Sequence, residues 1–225
     1  MTKNTKTNAK NLHFLENASF ELYTVLSPFM RKMGLTPNML TTISIIFSFA
    51  CAYSIYAQQY AWAGITILMS YLFDVFDGAF AREYNMYSKF GKVYDHFSDM
   101  IMALVILGSF YKYNKLKRKT RYILSIVIIF LLVMTYITQG CLSEIMEKEG
   151  KEGKEGKEGK EGMLNIDTII DGAEVLHDKL FNDTKKYCVG NANKTIQFTK
   201  HFGGETYNLF LATVFFVLHF APNKF

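Results

Sequence analysis

The sequence predicts an all-α membrane protein, a polytopic bundle of five to six transmembrane helices preceded by an N-terminal amphipathic helix at the membrane interface. Of its 225 residues 50% are hydrophobic, and its 45 charged side chains (25 basic and 20 acidic) are unevenly spread. Eleven of them crowd into residues 147–162 and six more into residues 112–121. Elsewhere, windows of about 18 or more residues carry no charge, close to the ~20 apolar residues that a transmembrane helix needs. A soluble domain, with about 25% charge mixed along the chain, is therefore excluded.

The N-terminal segment, residues 11–34, alternates apolar and polar side chains at helical spacing and closes with Arg31 and Lys32. This pattern predicts an amphipathic helix lying on the membrane surface, with an ordinary packed helix as the alternative. No apolar run precedes residue 39, so we expect no cleaved secretory signal. Pro37 then breaks the chain, and we expect Asn38 to cap the next helix.

Five apolar segments follow that are long enough to cross a hydrocarbon core of ~30 Å. They cover residues 39–57, 60–81, 93–111, 122–141 and 204–220, and a polar link, residues 82–92, joins the second to the third. We accordingly divide the chain into an N-terminal tail and surface helix (1–34), a catalytic transmembrane core (35–142), a low-complexity and polar loop (143–202) and a C-terminal transmembrane helix (203–225).

The long loop contains the repeat KEGKEGKEGKEG. Alternating Lys and Glu with Gly cannot bury apolar area, so we expect a solvated, disordered segment, and residues 163–200 indicate no function. The three cysteines form no CxxC pair and are expected to be buried thiols. A net charge of +5 gives no indication of nucleic acid as a partner.

The informative stretch is residues 71–100, where Asp74, Asp77, Asp95 and Asp99 lie inside or at the ends of two apolar helices. Each carboxylate would cost ~2.5–3.5 kcal/mol at a helix centre. Their i, i+3 and i, i+4 spacings place each pair on one face, and two helices joined by a short link are expected to be antiparallel neighbours. Four converging carboxylates offer only oxygen ligands, which indicates one or two Mg²⁺ or Mn²⁺ ions suited to a diphosphate substrate.

Small residues and one arginine accompany the carboxylates. Gly78, Ala81 and Gly91 would let two helices approach closely or let a flat ligand reach the backbone, and spacing alone does not separate these interpretations. Arg82, at the membrane edge, is suited to bind phosphate through its planar fork; its alternative role is a snorkelling anchor.

Together these residues spell D-x2-D-G-x2-A-R-x8-G-x3-D-x3-D, and a chance match of its eight positions is on the order of 10⁻⁸ for a chain this long. The pattern resembles the signature of the CDP-alcohol phosphotransferase (CDP-alcohol phosphatidyltransferase) family, membrane enzymes of phospholipid synthesis. GLTPNMLT, residues 34–41, is similar to that family's entry into its first spanning helix. The resemblance covers roughly residues 20–110.

The resemblance implies a reaction in which an acceptor hydroxyl attacks the β-phosphorus of a CDP-linked donor and CMP leaves. It implies that Asp74, Asp77 and Asp95 hold the metals and that Asp99 both approaches the second metal and serves as general base. It also implies a CDP-binding set in which the small residues accommodate the cytidine, the arginine meets phosphate and two further residues close the pocket: Gly78, Ala81, Gly91, Arg82, Asn38 and Thr41.

The acceptor is predicted less sharply. His96 directly after Asp95 resembles the choline and ethanolamine phosphotransferase branch, in which diacylglycerol is the acceptor, unless it is only a satisfied helix histidine. The alternative is a phosphatidylinositol or phosphatidylglycerophosphate synthase type that uses CDP-diacylglycerol. Members of that type commonly have a basic residue after the last aspartate, where this chain has Met100.

Two other classes compete with an enzyme. Intramembrane carboxylates also mark ion pathways, so a cation transporter is the distant alternative, although it would not need Arg82 or the small residues. A catalytically silent scaffold is the other. Either way the chain is multi-pass, in an endoplasmic-reticulum-like or plasma membrane, and a homodimer is left open. We expect a cytosolic active site, although the basic link at residues 112–121 favours the reverse orientation.

Overall fold

All regular structure in the described part of this computed structural model is α-helical, which confirms the predicted fold class. The structure describes residues 14–113, 116–148 and 204–220, together with Lys179. The KEG repeat and the predicted loop at residues 163–200 lie outside these ranges. In chain order the helices are α1 (Phe14–Lys32), α2 (Pro37–Tyr56), α3 (Tyr60–Tyr84), α4 (Lys89–Tyr113), α5 (Arg118–Lys148) and α6 (Gly204–Phe220).

Four helices are long and apolar enough to cross a membrane, and they correspond to the first four predicted segments. Their apolar spans are Pro37–Tyr56, Tyr60–Tyr84, Phe90–Tyr113 and Arg118–Thr138. The fifth predicted segment forms a shorter apolar helix, α6, of 17 residues. At 1.5 Å per residue this helix is about 26 Å long, slightly less than the ~30 Å hydrocarbon core.

The first spanning helix begins one residue earlier than its predicted cap. Thr36, with φ −118° and ψ 160°, is the N-cap of α2, and its hydroxyl accepts a hydrogen bond from the amide of Met39. Pro37 occupies the first helical position, where a missing N–H is harmless, and proline keeps the preceding residue extended. The prediction that Asn38 caps α2 is therefore wrong, because Asn38 already lies inside the helix.

The link between α3 and α4 is much shorter than the predicted residues 82–92. The helix α3 continues through Arg82 to Tyr84 and ends at Asn85, which has left-handed backbone angles (φ 53°, ψ 43°). Charged side chains do not themselves terminate a helix, whereas a left-handed residue at its C-terminus does. As a result both Arg82 and Gly91 lie on helices rather than in a loop.

The helix α2 packs against both α3 and α4, whereas α3 and α4, which were expected to be direct neighbours, barely touch each other. Buried serines join α2 to α3: Ser70 Oγ lies 3.0 Å from Ser44 Oγ and 2.7 Å from Ser48 Oγ. Such small polar residues allow close approach of helices in a membrane. The α3–α4 pair consequently flanks a cleft whose third wall is α2.

The helix α6 packs against α3 and α5 and completes the larger core. A Cβ atom at Gly64 of α3 would lie 3.1 Å from the Phe216 ring, so only glycine permits this spacing without a shift. Cys51 is free and fully buried in the same core, as predicted for a structural thiol. The other two cysteines lie where side chains are not described.

The helix α1 docks onto the end of α3 through a buried polar cluster. Tyr23 and Ser27 both donate hydrogen bonds to the carboxylate of Glu83, the serine at 2.6 Å. Burial, reinforced by the Glu83 carboxylate, raises the pKa of Tyr23 and keeps its phenol a donor. The opposite face of α1 exposes an apolar stripe of Leu22, Val25 and Phe29, which Met33 continues just beyond the helix. Such a stripe is typical of an interfacial helix.

Candidate active site

Three of the four predicted carboxylates converge in the α3–α4 cleft. One carboxylate oxygen from each of Asp74, Asp95 and Asp99 can be chosen so that all three lie within 4.8 Å of one another. Asp74 comes from α3, whereas Asp95 and Asp99 come from successive turns of α4. Asp95 and Asp99, the i, i+4 pair of α4, thus lie on one helix face as their spacing predicted, and that face meets Asp74 across the cleft.

Asp77 does not belong to this converging group. It is only 4% exposed and accepts a hydrogen bond of 2.6 Å from the Thr41 hydroxyl of α2. The Thr41 hydroxyl also lies 3.2 Å from the carbonyl oxygen of Pro37, one helical turn earlier. Four carboxylates were expected to converge in one site, and three of them do. The fourth, Asp77, lies beside them and is hydrogen-bonded to α2 through Thr41.

The three converging carboxylates fit a hard divalent cation. Among the described residues, Asp95 Oδ1 is buried and has no hydrogen-bond partner, although buried polar atoms almost always have one. Three carboxylates this close repel each other unless a positive charge lies between them. Carboxylate oxygens are the ligands that Mg²⁺ and Mn²⁺ prefer, so the donor set and the orphaned oxygen both suit such an ion.

The guanidinium group of Arg82 lies over the bare backbone of Gly78. A Cβ atom at Gly78 would be 3.4 Å from Arg82 Nη1, an ordinary van der Waals distance. Arg82 is exposed, yet it lies within electrostatic range of Asp95 and of Tyr87 in the link. Burial raises the pKa of Tyr87, and the positive charge of Arg82 opposes that rise. The positively charged guanidinium group of Arg82 therefore lies at the mouth of the cleft, about two helical turns along α3 from Asp74.

Gly91 brings α4 against the first turn of α2. A Cβ atom at this position would lie 2.9 Å from Asn38 Oδ1 and 3.0 Å from Ser88 Oγ, so a larger residue requires both side chains to shift. The predicted pocket residues Asn38, Thr41 and Gly91 are thus brought to one side of the cleft. Ala81 lies one turn after Asp77 on the same face of α3, the face from which Asp77 contacts Thr41 of α2.

Sequence reasoning missed Ser88, whose hydroxyl accepts a hydrogen bond of 2.9 Å from the amide of Gly91. Its carbonyl oxygen also accepts from the amide of Lys92 at 3.1 Å. Ser88 directly precedes α4 and so fixes the turn that carries Gly91. A serine just before an apolar helical pattern is the capping signal that could have identified it.

His96 is held by its own helix. Its Nδ1 atom lies 2.9 Å from the carbonyl oxygen of Lys92, one turn earlier on α4. The histidine is also an electrostatic neighbour of Asp95, but this backbone contact is what a satisfied helix histidine makes. The feature on which the choline and ethanolamine interpretation rested is therefore explained locally.

One protein family matches the part of the chain that contains these carboxylates. The profile described as CDP-alcohol phosphatidyltransferase matches residues 34–168, more than half of the chain. The chain is 35% identical over 78 residues to an archaetidylinositol phosphate synthase of Pyrococcus horikoshii, covering 35% of this chain and 42% of that protein. It is 34% identical over 92 residues to a phosphatidylinositol phosphate synthase of Mycobacterium tuberculosis, covering 40% of this chain and 42% of that protein. The chain thus matches less than half the length of these curated relatives.

Proposed function

Because the chain belongs to the CDP-alcohol phosphatidyltransferase family, we propose that it transfers a phosphatidyl group from CDP-diacylglycerol to a hydroxyl of a polar head-group alcohol, with release of CMP. The observation that carries this proposal is the convergence of Asp74, Asp95 and Asp99 in a cleft at one end of a membrane bundle. A diphosphate donor requires such a concentration of cation-binding oxygens, and its lipid tails require a membrane.

We propose a polar head-group alcohol as the acceptor, in place of the diacylglycerol that the choline and ethanolamine branch uses. Two of the relatives are named for the synthesis of inositol phosphate lipids, which supports the alternative that uses CDP-diacylglycerol. His96 no longer supports the choline branch, because its ring contacts the Lys92 carbonyl oxygen. Met100 still departs from the basic residue common in inositol-type members, so the acceptor panel below includes alcohols with and without phosphate.

In this proposal Asp74, Asp77, Asp95 and Asp99 hold one or two Mg²⁺ or Mn²⁺ ions, with Asp77 at the edge of the converging group. When bound, such ions neutralise the diphosphate and the departing CMP. Arg82 meets a phosphate of the donor from the cleft mouth, where its planar fork can bind two oxygens. Gly78 and Ala81 leave room for the cytidine, and Gly91 lets Asn38 of α2 lie against α4 at the edge of that pocket.

The transfer step uses Asp99 as the general base. The acceptor oxygen forms a bond to the β-phosphorus while the bond from that phosphorus to the CMP oxygen breaks. The proton of the acceptor hydroxyl passes to the Asp99 carboxylate, and CMP departs with the electron pair. An aspartate is a weak base for an alcohol at its ordinary pKa of ~3.9, so positioning of the acceptor must supply much of the rate.

The experiment is a donor and acceptor panel on the full chain in membranes. CDP-diacylglycerol is paired with inositol, inositol 1-phosphate, glycerol and glycerol 3-phosphate, and CDP-choline and CDP-ethanolamine are paired with diacylglycerol. We expect CMP release with CDP-diacylglycerol and at least one polar alcohol. Release only with CDP-choline or CDP-ethanolamine would restore the earlier preference, and no release with any pair would contradict the enzyme.

A further inference from the structure

Tyr207, in the first turn of α6, carries a buried hydroxyl that the mechanism above does not use. The residue is only 6% exposed, and among the described residues its hydroxyl has no hydrogen-bond partner. Buried hydroxyl groups are normally bonded to protein, ordered water or ligand. A phenol can both donate and accept, so this one is suited to a small polar ligand.

A ring contact between α4 and α6 places this hydroxyl near the level of the carboxylates. The rings of Phe110 and Phe215 are 6.0 Å apart, so these two positions lie at similar depth in the bundle. Asp99 precedes Phe110 by eleven residues and Tyr207 precedes Phe215 by eight, so their Cα atoms differ in depth by about 4–5 Å at 1.5 Å per residue. Long side chains lean toward the N-terminus of their helix, which carries the Tyr207 hydroxyl toward Asp99.

A second phenol lies in the same region. Tyr136 of α5 is half-buried, and both Tyr136 and Tyr207 are electrostatic neighbours of Asp99 and of each other. We call these two residues the phenol pair. Because they come from α5 and α6, they approach Asp99 from helices other than the α2 and α3 walls that bear Thr41, Gly78 and Arg82.

We propose that the phenol pair binds the acceptor alcohol and orients its attacking hydroxyl beside Asp99, which selects a polyhydroxy head group. This inference rests on the proposed function. The groups that meet the donor, Arg82 and the small residues, line the α2–α3–α4 side, which leaves the phenol side to the acceptor. Uncharged phenols both donate hydrogen bonds to and accept them from uncharged hydroxyl groups, which suits a head group that carries several hydroxyls.

The test compares Tyr207→Phe with the wild-type chain in lipid nanodiscs, using CDP-diacylglycerol and the best acceptor of the panel. We expect the KM for the acceptor to rise about tenfold, the loss of one or two hydrogen bonds, while the KM for CDP-diacylglycerol stays within about twofold. Tyr136→Phe, at a half-exposed site that tolerates change, should move the acceptor KM in the same direction. Phe215→Leu, which disturbs the same core but leaves both phenols, should move neither KM.

Each outcome decides between the two proposals. An unchanged acceptor KM in both tyrosine variants would overturn the phenol-pair inference while leaving the transferase intact. Equal increases in both KM values, matched by Phe215→Leu, would show a packing role and overturn it too. If Tyr207→Phe does not fold, Tyr136→Phe alone decides. A wild-type chain that releases no CMP with any substrate pair contradicts the proposed function itself, and the inference with it.

Discussion

At the scale of single residues, the contact between Thr41 and Asp77 holds the one aspartate that lies beside the converging group. The hydrogen bond is 2.6 Å long and buried, so Thr41→Val leaves Asp77 without its donor. Loss of a residue that orients a metal-binding group typically costs about ten- to a hundredfold in metal affinity or activity. We therefore expect Thr41→Val to raise the Mg²⁺ concentration for half-maximal CMP release by about that factor.

Thr41→Ser is the matched control, because it keeps the hydroxyl and removes only a methyl group. It should require nearly the wild-type Mg²⁺ concentration. Equal Mg²⁺ dependence of the valine and serine variants would show that the hydrogen bond does not matter to the cation.

The two motif glycines give different predictions on substitution by alanine. At Gly78 the new methyl group would lie 3.4 Å from Arg82 Nη1, an ordinary contact distance, so Gly78→Ala should fold normally. The methyl group would occupy space that the nucleotide needs. We therefore expect the KM for CDP-diacylglycerol to rise at least about tenfold. At Gly91 the methyl would lie 2.9 Å from Asn38 Oδ1, so Gly91→Ala should also lower thermal stability. Thermal unfolding and donor KM measured together separate the two effects. Wild-type donor KM in Gly78→Ala would contradict the nucleotide role.

At the scale of helices, the docking of α1 depends on Glu83 at the end of α3. Tyr23 and Ser27 are buried and both donate to its carboxylate. An unsatisfied buried hydroxyl costs about 1–3 kcal/mol, so Glu83→Ala should accelerate amide hydrogen exchange in α1 by about tenfold or more. Glu21→Ala, at an exposed site of α1, is the control and should leave exchange unchanged. Equal exchange in both variants would mean that apolar packing alone docks the helix.

The sequence predicted helices better than it predicted which faces meet. Uncharged windows of the sequence were sufficient to predict the four long membrane-spanning helices. A segment of ~20 apolar residues in lipid must satisfy its backbone hydrogen bonds internally, and an α-helix does so within the segment itself. Helix ends were missed where local geometry decides them: Thr36 caps α2 ahead of Pro37, and left-handed Asn85 ends α3. The Asp motif predicted the cluster of Asp74, Asp95 and Asp99, since its members are close in sequence.

Contacts between distant segments could not be predicted in this way. Tyr207 is separated from the motif by more than 100 residues, and only the packing of α6 brings it toward Asp99. The same holds for Tyr23 and Glu83, whose pairing depends on how α1 folds back onto α3. Periodicity identifies an apolar face of a helix, but it does not say which neighbour covers that face.

At the scale of the whole molecule, the remaining prediction concerns sidedness. The carboxylate cleft and the α4–α5 link lie at opposite ends of the bundle, so only one of them can be cytosolic. We propose that the cleft faces the cytosol, because CMP, the soluble product, would then be released into the cytosol. In a chain without Cys141 and Cys188, cysteines placed at exposed Lys92 and Lys117 should react differently with an impermeant maleimide. Lys117→Cys should be labelled in intact cells and Lys92→Cys only after permeabilisation; the reverse pattern would favour the orientation of the positive-inside rule.

The most direct test of the account is the cation dependence of CMP release by the wild-type chain and Asp99→Asn, each purified in nanodiscs with CDP-diacylglycerol and the best acceptor. After chelation we expect no release by either protein. Added Mg²⁺ or Mn²⁺ should restore release by the wild-type chain, whereas Asp99→Asn should stay inactive at every cation concentration while still binding the CDP-linked donor. Release that persists without divalent cation, or that Asp99→Asn performs at the wild-type rate, would contradict the carboxylate-centred transferase.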